Sequence, residues 1–144
     1  MSLQILDEHH VARYCNFRNL DEVTGEPMAT AFMLRPEINE TELSVNWIEY
    51  FGNINFAEGV DQIRESITRK LGGKARFAVL NVGDAKTRVK DESSDRSEID
   101  FKHDPDTSNV SHSKINGLNH DPAKNQEVAV ILAQCVIETF RAKA

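Results

Sequence analysis

Between residues 43 and 71 the hydrophobic period changes from two to about three and a half, and this constrains the fold more than any other feature. Leu43, Val45 and Trp47 point one way while Ser44 and Asn46 point the other, the pattern of a half-buried strand. Farther on, Phe56, Val60, Ile63, Ile67 and Leu71 recur at spacings of three and four, with Glu58, Asp61, Arg64, Glu65 and Lys70 largely off that face. This is an amphipathic helix of the kind that covers a sheet. Phe51-Gly52-Asn53 supplies the turn between them, Asn53 or Asn55 the helix cap, and Gly72-Gly73 the left-handed stop.

The remaining segments follow from the same rules. Ala75 to Val82 is short and mostly apolar between glycines, which suits a strand covered on both faces. Thr24-Gly25-Glu26-Pro27 is a turn signal, and Met28 to Leu34 then reads as a strand or extended segment that Arg35-Pro36 stops. His9 to Phe17 has no clean period and reads as a short helix or an irregular lead-in. Ile99 and Phe101 alternate with Asp100 and Lys102 as a short edge strand. Asp121-Pro122 opens a final core helix carrying Val128, Ile131, Leu132, Cys135, Val136 and Phe140. Residues 84–97 turn to charge and serine, which predicts a mobile polar loop. The expected fold is one α+β domain over 1–144, a mainly antiparallel sheet of about four or five strands with two principal helices packed on one face. A βαβ reading of Leu43 to Val82 would make that pair of strands parallel.

A chain of 144 residues closes one core without staples, and a formal charge of −6 repels phosphate backbones. Arg64, Arg69, Lys70, Lys74 and Arg76 are diluted by Asp61 and Glu65 and read as a solvated helix end, so nucleic acid is not an expected partner. Cys15 and Cys135 lack a C-x-x-C spacing, which argues against a disulfide framework or a thiolate zinc site. Arg13 and Arg18 beside Cys15 favour a thiolate, but no base is identifiable and both cysteines read as structural. The amino terminus lacks a basic segment followed by an apolar core, and nowhere do eighteen apolar residues run together. A soluble protein of the bacterial cytoplasm, without membrane contact, is expected.

The common phosphate, dinucleotide, zinc-protease and nucleophile-elbow motifs are missing. Chemistry-bearing residues concentrate between His103 and Asp121. Imidazole and carboxylate are the usual ligands of zinc, manganese or iron, so His103, Asp104, Asp106, His112 and His120 form one candidate divalent-metal set. Ser111-His112-Ser113-Lys114 invites a nucleophile-and-base reading, but as a strand it puts Ser111 and Ser113 on one face and His112 and Lys114 on the other. Gly117 reads as conformational, and the amides around Ala123 and Lys124, with Lys114, offer an anion site.

Three segments, Ala31-Phe32-Met33-Leu34-Arg35-Pro36, Leu43-Ser44-Val45 and His112-Ser113-Lys114-Ile115-Asn116-Gly117, occur in that order before an alanine-rich final helix. The pattern resembles a group of short uncharacterised bacterial proteins, and implies a shared fold and a shared surface around Arg35 and His112, without a reaction. The expected function is therefore a non-enzymatic bacterial binding or accessory protein, with Arg35, His112, Lys114 and Gly117 shaping the recognition surface. Its partner would be an unidentified protein or a small anionic ligand, and no cofactor is expected. The alternative is a small metal-assisted hydrolase or nuclease using the His103–Asp121 segment.

Overall fold

The computed structural model describes residues 3–68 and 70–143; Arg69, one of the basic residues noted above, lies outside them. Among the described residues seven strands form one antiparallel sheet: β1 (Leu3–Gln4), β2 (His10–Cys15), β3 (Leu43–Trp47), β4 (Arg76–Asn81), β5 (Asp100–His103), β6 (His112–Asn116) and β7 (Glu138–Arg141). Their spatial order is β1-β5-β6-β3-β2-β4-β7. The α-helices among the described residues are α1 (Phe56–Ser66), α2 (Val82–Glu92) and α3 (Pro122–Gln134). The α+β class and the antiparallel sheet agree with expectation, but the count of four or five strands was too low. Among the described residues no helix is long and apolar enough to cross a membrane.

The two short strands β1 and β7 and the doubly covered β2 account for the low count. In β2, Val11 and Cys15 enter one apolar cluster while Ala12 enters the other. A strand buried on both faces shows no alternation of apolar with polar, so its sequence reads as irregular. β4 behaves as expected, with Ala78 and Leu80 on one face and Phe77 and Val79 on the other. β3 and β4 both pair antiparallel with β2. They therefore run parallel to each other across β2, joined by α1, and are not the paired neighbours of the simple βαβ reading.

Two clusters on the two faces of the sheet also correct the helix arrangement. One face is covered by α2 and α3, through Val82, Ala85 and Val89 and through Val128, Ile131 and Leu132, with a 3-10 turn at Ala29–Phe32. The other is covered by α1, through Val60 and Ile63, and by a 3-10 turn at Ile48–Phe51. The two helices expected on one face thus lie on opposite faces, because β2 and β4 present apolar side chains both ways and each face must be shielded from water.

Residues 84–97 were expected to be a loop, yet the chain is helical to Glu92. Asn81 Oδ1 accepts the Asp84 amide at 2.7 Å as the cap, and Val82, Ala85 and Val89 supply a narrow buried stripe. The charges that suggested a loop are the solvated side of this helix, tied by Arg88–Glu92 and Lys90–Glu98. α1 starts under Asn55 as expected but stops at Ser66, so Ile67 and Leu71 pack from the connection that follows. α3 begins at Asp121-Pro122 as expected, with Asp121 Oδ2 accepting the Lys124 amide at 3.2 Å. It ends at Gln134; Phe140, expected on the helix, lies on β7 opposite Phe77. Met28 to Leu34, expected extended, holds the 3-10 turn that packs on α3.

Candidate functional site

On the face that α1 shields, the apolar cluster draws on β2, β4 and the residue after β7, and on nothing from β5 or β6. The half built by β3 and β6 is polar there, since Ser44, Asn46, His112 and Lys114 alternate with the buried Leu43, Val45, Ser113 and Ile115. Beside this polar half the sheet opens. β2 and β3 share only two residue pairs, Val11 with Trp47 and Ala12 with Asn46; beyond them β2 stays with β4 and β3 stays with β6. Arg13 bridges the opening, donating from Nε to Ala31 O at 2.9 Å and from Nη1 to Ser44 O at 2.7 Å. A side chain thus replaces ladder hydrogen bonds where two strands part.

A polar cleft of about 360 Å³ occupies this opening. Its floor is Ser44, Asn46, Asn109 and His112, and one wall is Arg13, Tyr14, Asn16 and Asn19. Arg35 and Glu40 close the far side. Asn46 is buried and donates from Nδ2 to Asn109 Oδ1 at 2.6 Å and to Ser111 Oγ at 2.8 Å, which joins the β5–β6 connection to the floor. Arg35 donates from its backbone N–H to Glu40 Oε1 and from Nη2 to Glu40 Oε2, both at 3.0 Å. Hydrogen bonding to Glu40 raises the affinity of the Arg35 guanidinium for its proton. Two guanidiniums and one carboxylate therefore line a cleft in a chain of net charge −6.

His112 sits between β5 and β3. Nδ1 lies 2.8 Å from Asp104 O and Nε2 lies 3.1 Å from Ser44 Oγ, with Asp104 Oδ2 at 3.8 Å from Nδ1. A carbonyl oxygen only accepts, so Nδ1 carries the hydrogen; in the neutral ring Nε2 then accepts from the Ser44 hydroxyl. Hydrogen bonds from the Ser108 backbone and hydroxyl pull the Asp106 carboxyl below the usual carboxylate range.

Of the four residues expected to form a recognition surface, Arg35 and His112 line the cleft. Lys114 lies two residues along β6 from His112, its Nζ 3.5 Å from Glu42. Gly117 lies outside the cleft, at φ +84°, where any Cβ would run into Glu98 O. The candidate metal set separates. Asp104, Asp106 and His112 are neighbours, but His103 pairs with Ser113 and so points to the opposite face of the sheet, where its ring packs against Trp47 and Tyr50 and Nε2 lies 2.9 Å from Val110 O. His120 is exposed ahead of α3. Among the described residues no group of three or more His, Cys, Asp or Glu is placed to hold a metal ion. Ser111 and Ser113 are fully buried, Ser111 Oγ accepting from Asn46 Nδ2 and Ser113 Oγ donating to Ser111 O at 3.0 Å.

Arg13, Ser44, Asn46 and Asn109 are not among the site residues expected from sequence, which marks Ser44 and Asn46 only as the polar side of a strand and Arg13 only as a neighbour of Cys15. Ser44 and His112 are 68 positions apart, and only the pairing of β3 with β6 makes them neighbours. No spacing signal could have found them. No protein-family model matches the chain, and neither a curated protein nor a solved structure does.

Proposed function

We propose that this chain is a binding or accessory protein that recognises a small anionic ligand, free or presented by a partner protein, in the cleft between β2 and β3. The observation that carries the reading is the concentration of guanidinium, imidazole and side-chain amide groups around one cavity of an acidic chain. Guanidinium forks match the planar geometry of carboxylate and the oxygens of phosphate, and amide donors add orientation. The cleft volume of about 360 Å³ suits a small metabolite. A nucleic-acid backbone would need a continuous basic stripe, and the lining pairs one of its two cations with Glu40.

The test is an NMR titration of the labelled protein with citrate, succinate and inorganic phosphate. Shifts should concentrate on amides of residues 13–19, 35–46 and 109–112, and Arg35→Gln should weaken binding about tenfold, the equivalent of about 1.4 kcal/mol. Shifts elsewhere, or none with any of the three anions, would remove the reading.

A further inference from the structure

We propose that the cleft is also reactive: Ser44 and His112 form a hydroxyl–imidazole pair that accepts an acyl group from a small carboxylic ester bearing a second, anionic end. The inference rests on the cleft being a ligand site and adds a chemical step to it. Three observations carry it together. Ser44 Oγ is 3.1 Å from His112 Nε2, the distance at which an imidazole can take a hydroxyl proton. The outer nitrogen, Nδ1, is held by Asp104 O at 2.8 Å, which selects the tautomer whose Nε2 has a free lone pair toward Ser44. The exposed Ser44 and the half-buried His112 both line the cavity, which also contains Arg13 and Arg35. A serine–histidine bond that only tied two strands together would require neither the second hold on the ring nor a cavity beside the hydroxyl.

The pair is also rigidly carried. β3 is flanked by β2 and β6, and β6 by β3 and β5, so both residues sit on internal strands rather than on loops. Arg13 Nη1 donates to the carbonyl of Ser44 itself, which sets a cation against the backbone of the attacking residue.

The step balances as follows. Ser44 Oγ bonds to the acyl carbon while its proton passes to His112 Nε2. The bond from that carbon to the alcohol oxygen then breaks, and the departing oxygen takes the proton from Nε2. Water, deprotonated by His112, next attacks the acyl-serine carbon, and Ser44 leaves with its proton restored. Products are the alcohol and the carboxylic acid, with no oxidant or reductant involved.

The experiment uses the whole chain, a fluorophosphonate probe, and two chromogenic esters, 4-nitrophenyl acetate and mono-4-nitrophenyl succinate. The probe should attach to Ser44, located by tandem mass spectrometry, and the succinate should react faster than the acetate because its free carboxylate meets the arginines. Ser44→Ala should abolish labelling and turnover, and His112→Gln should slow both by about 100-fold or more, the scale of a lost general base. Melting curves establish that each variant is folded, and labelling of the unaltered protein decides the matter if one is not. An unlabelled wild-type protein, a label on another residue, or undiminished labelling of folded Ser44→Ala would overturn the proposal. Anion binding in the NMR titration with no adduct on Ser44 would sink this step alone, whereas absence of anion binding would sink the cleft reading.

Discussion

Single side chains settle several questions that no pattern in the chain announces. Asn125 on α3 is buried, and its amide completes a two-way bond with the backbone of Leu34, accepting from Leu34 N at 3.0 Å and donating to Leu34 O at 3.1 Å. It does for the segment before Arg35 what a neighbouring strand would do. Asn125→Ala should cost about 2–4 kcal/mol, because a buried N–H and C=O both lose their partner; urea denaturation followed by circular dichroism reads this directly. A loss below about 0.5 kcal/mol would mean that water serves the Leu34 backbone equally well. Cysteine chemistry is likewise decided by burial. Loss of solvation pushes the Cys15 thiol up to about 12, outweighing the opposite pull of Arg13, and Cys135 to about 11. The thiolate that the flanking arginines suggested is therefore disfavoured at neutral pH.

At the scale of elements, α3 joins the two parts of the argument. Its buried stripe of Val128, Ile131 and Leu132 packs on the sheet, while its amino-terminal half holds the Ala29–Phe32 turn that leads to Arg35 at the cleft. Leu132 is fully buried, so Leu132→Ala leaves a cavity in a close-packed layer and should cost about 2–5 kcal/mol. Lys143→Ala, on an exposed residue, should stay within about 0.5 kcal/mol. Paired thermal melts compare the two, and equal melting temperatures would contradict the position of α3 in the core. α2 shows why charge density alone misleads: Val82, Ala85 and Val89 are its buried residues, and a stripe of three is enough for a helix that is otherwise charged.

At the scale of the whole molecule, local hydrogen bonds hold Asp21, Glu92, Asp95 and Asp106 below the usual carboxylate range. Backbone hydrogen bonds from Thr24 and Val23 hold Asp21 below the usual carboxylate range, and hydrogen bonding to Arg88 does so for Glu92. Ser97 and then Lys124 do so for Asp95, and Ser108 for Asp106. Each is more acidic folded than unfolded, so its contribution is present above the unfolded value near about 4 and is lost as pH falls through the lower folded value. Through these carboxylates the melting temperature should decline as pH falls from about 5 to 3. Calorimetry across that range checks the sign; a rise on acidification would refute it.

The sequence by itself determined the class of fold, the strand at β3, the doubly covered β4 and the starts of α1 and α3. Each rests on local physics: a side-chain period, a cap, or a proline in a first helical turn. It also drew attention to Arg35 and His112, two residues that the fold brings to one cleft. Tertiary structure decided the rest. β2 is recognisable as a strand only once both sheet faces are covered, and β7 only once Phe77 offers Phe140 a partner. The cleft exists because β2 and β3 part after two pairs, and Ser44 meets His112 because β3 and β6 pair in one register. Register depends on contacts across dozens of residues, and a slip of β6 by one residue against β3 would turn His112 to the face away from Ser44.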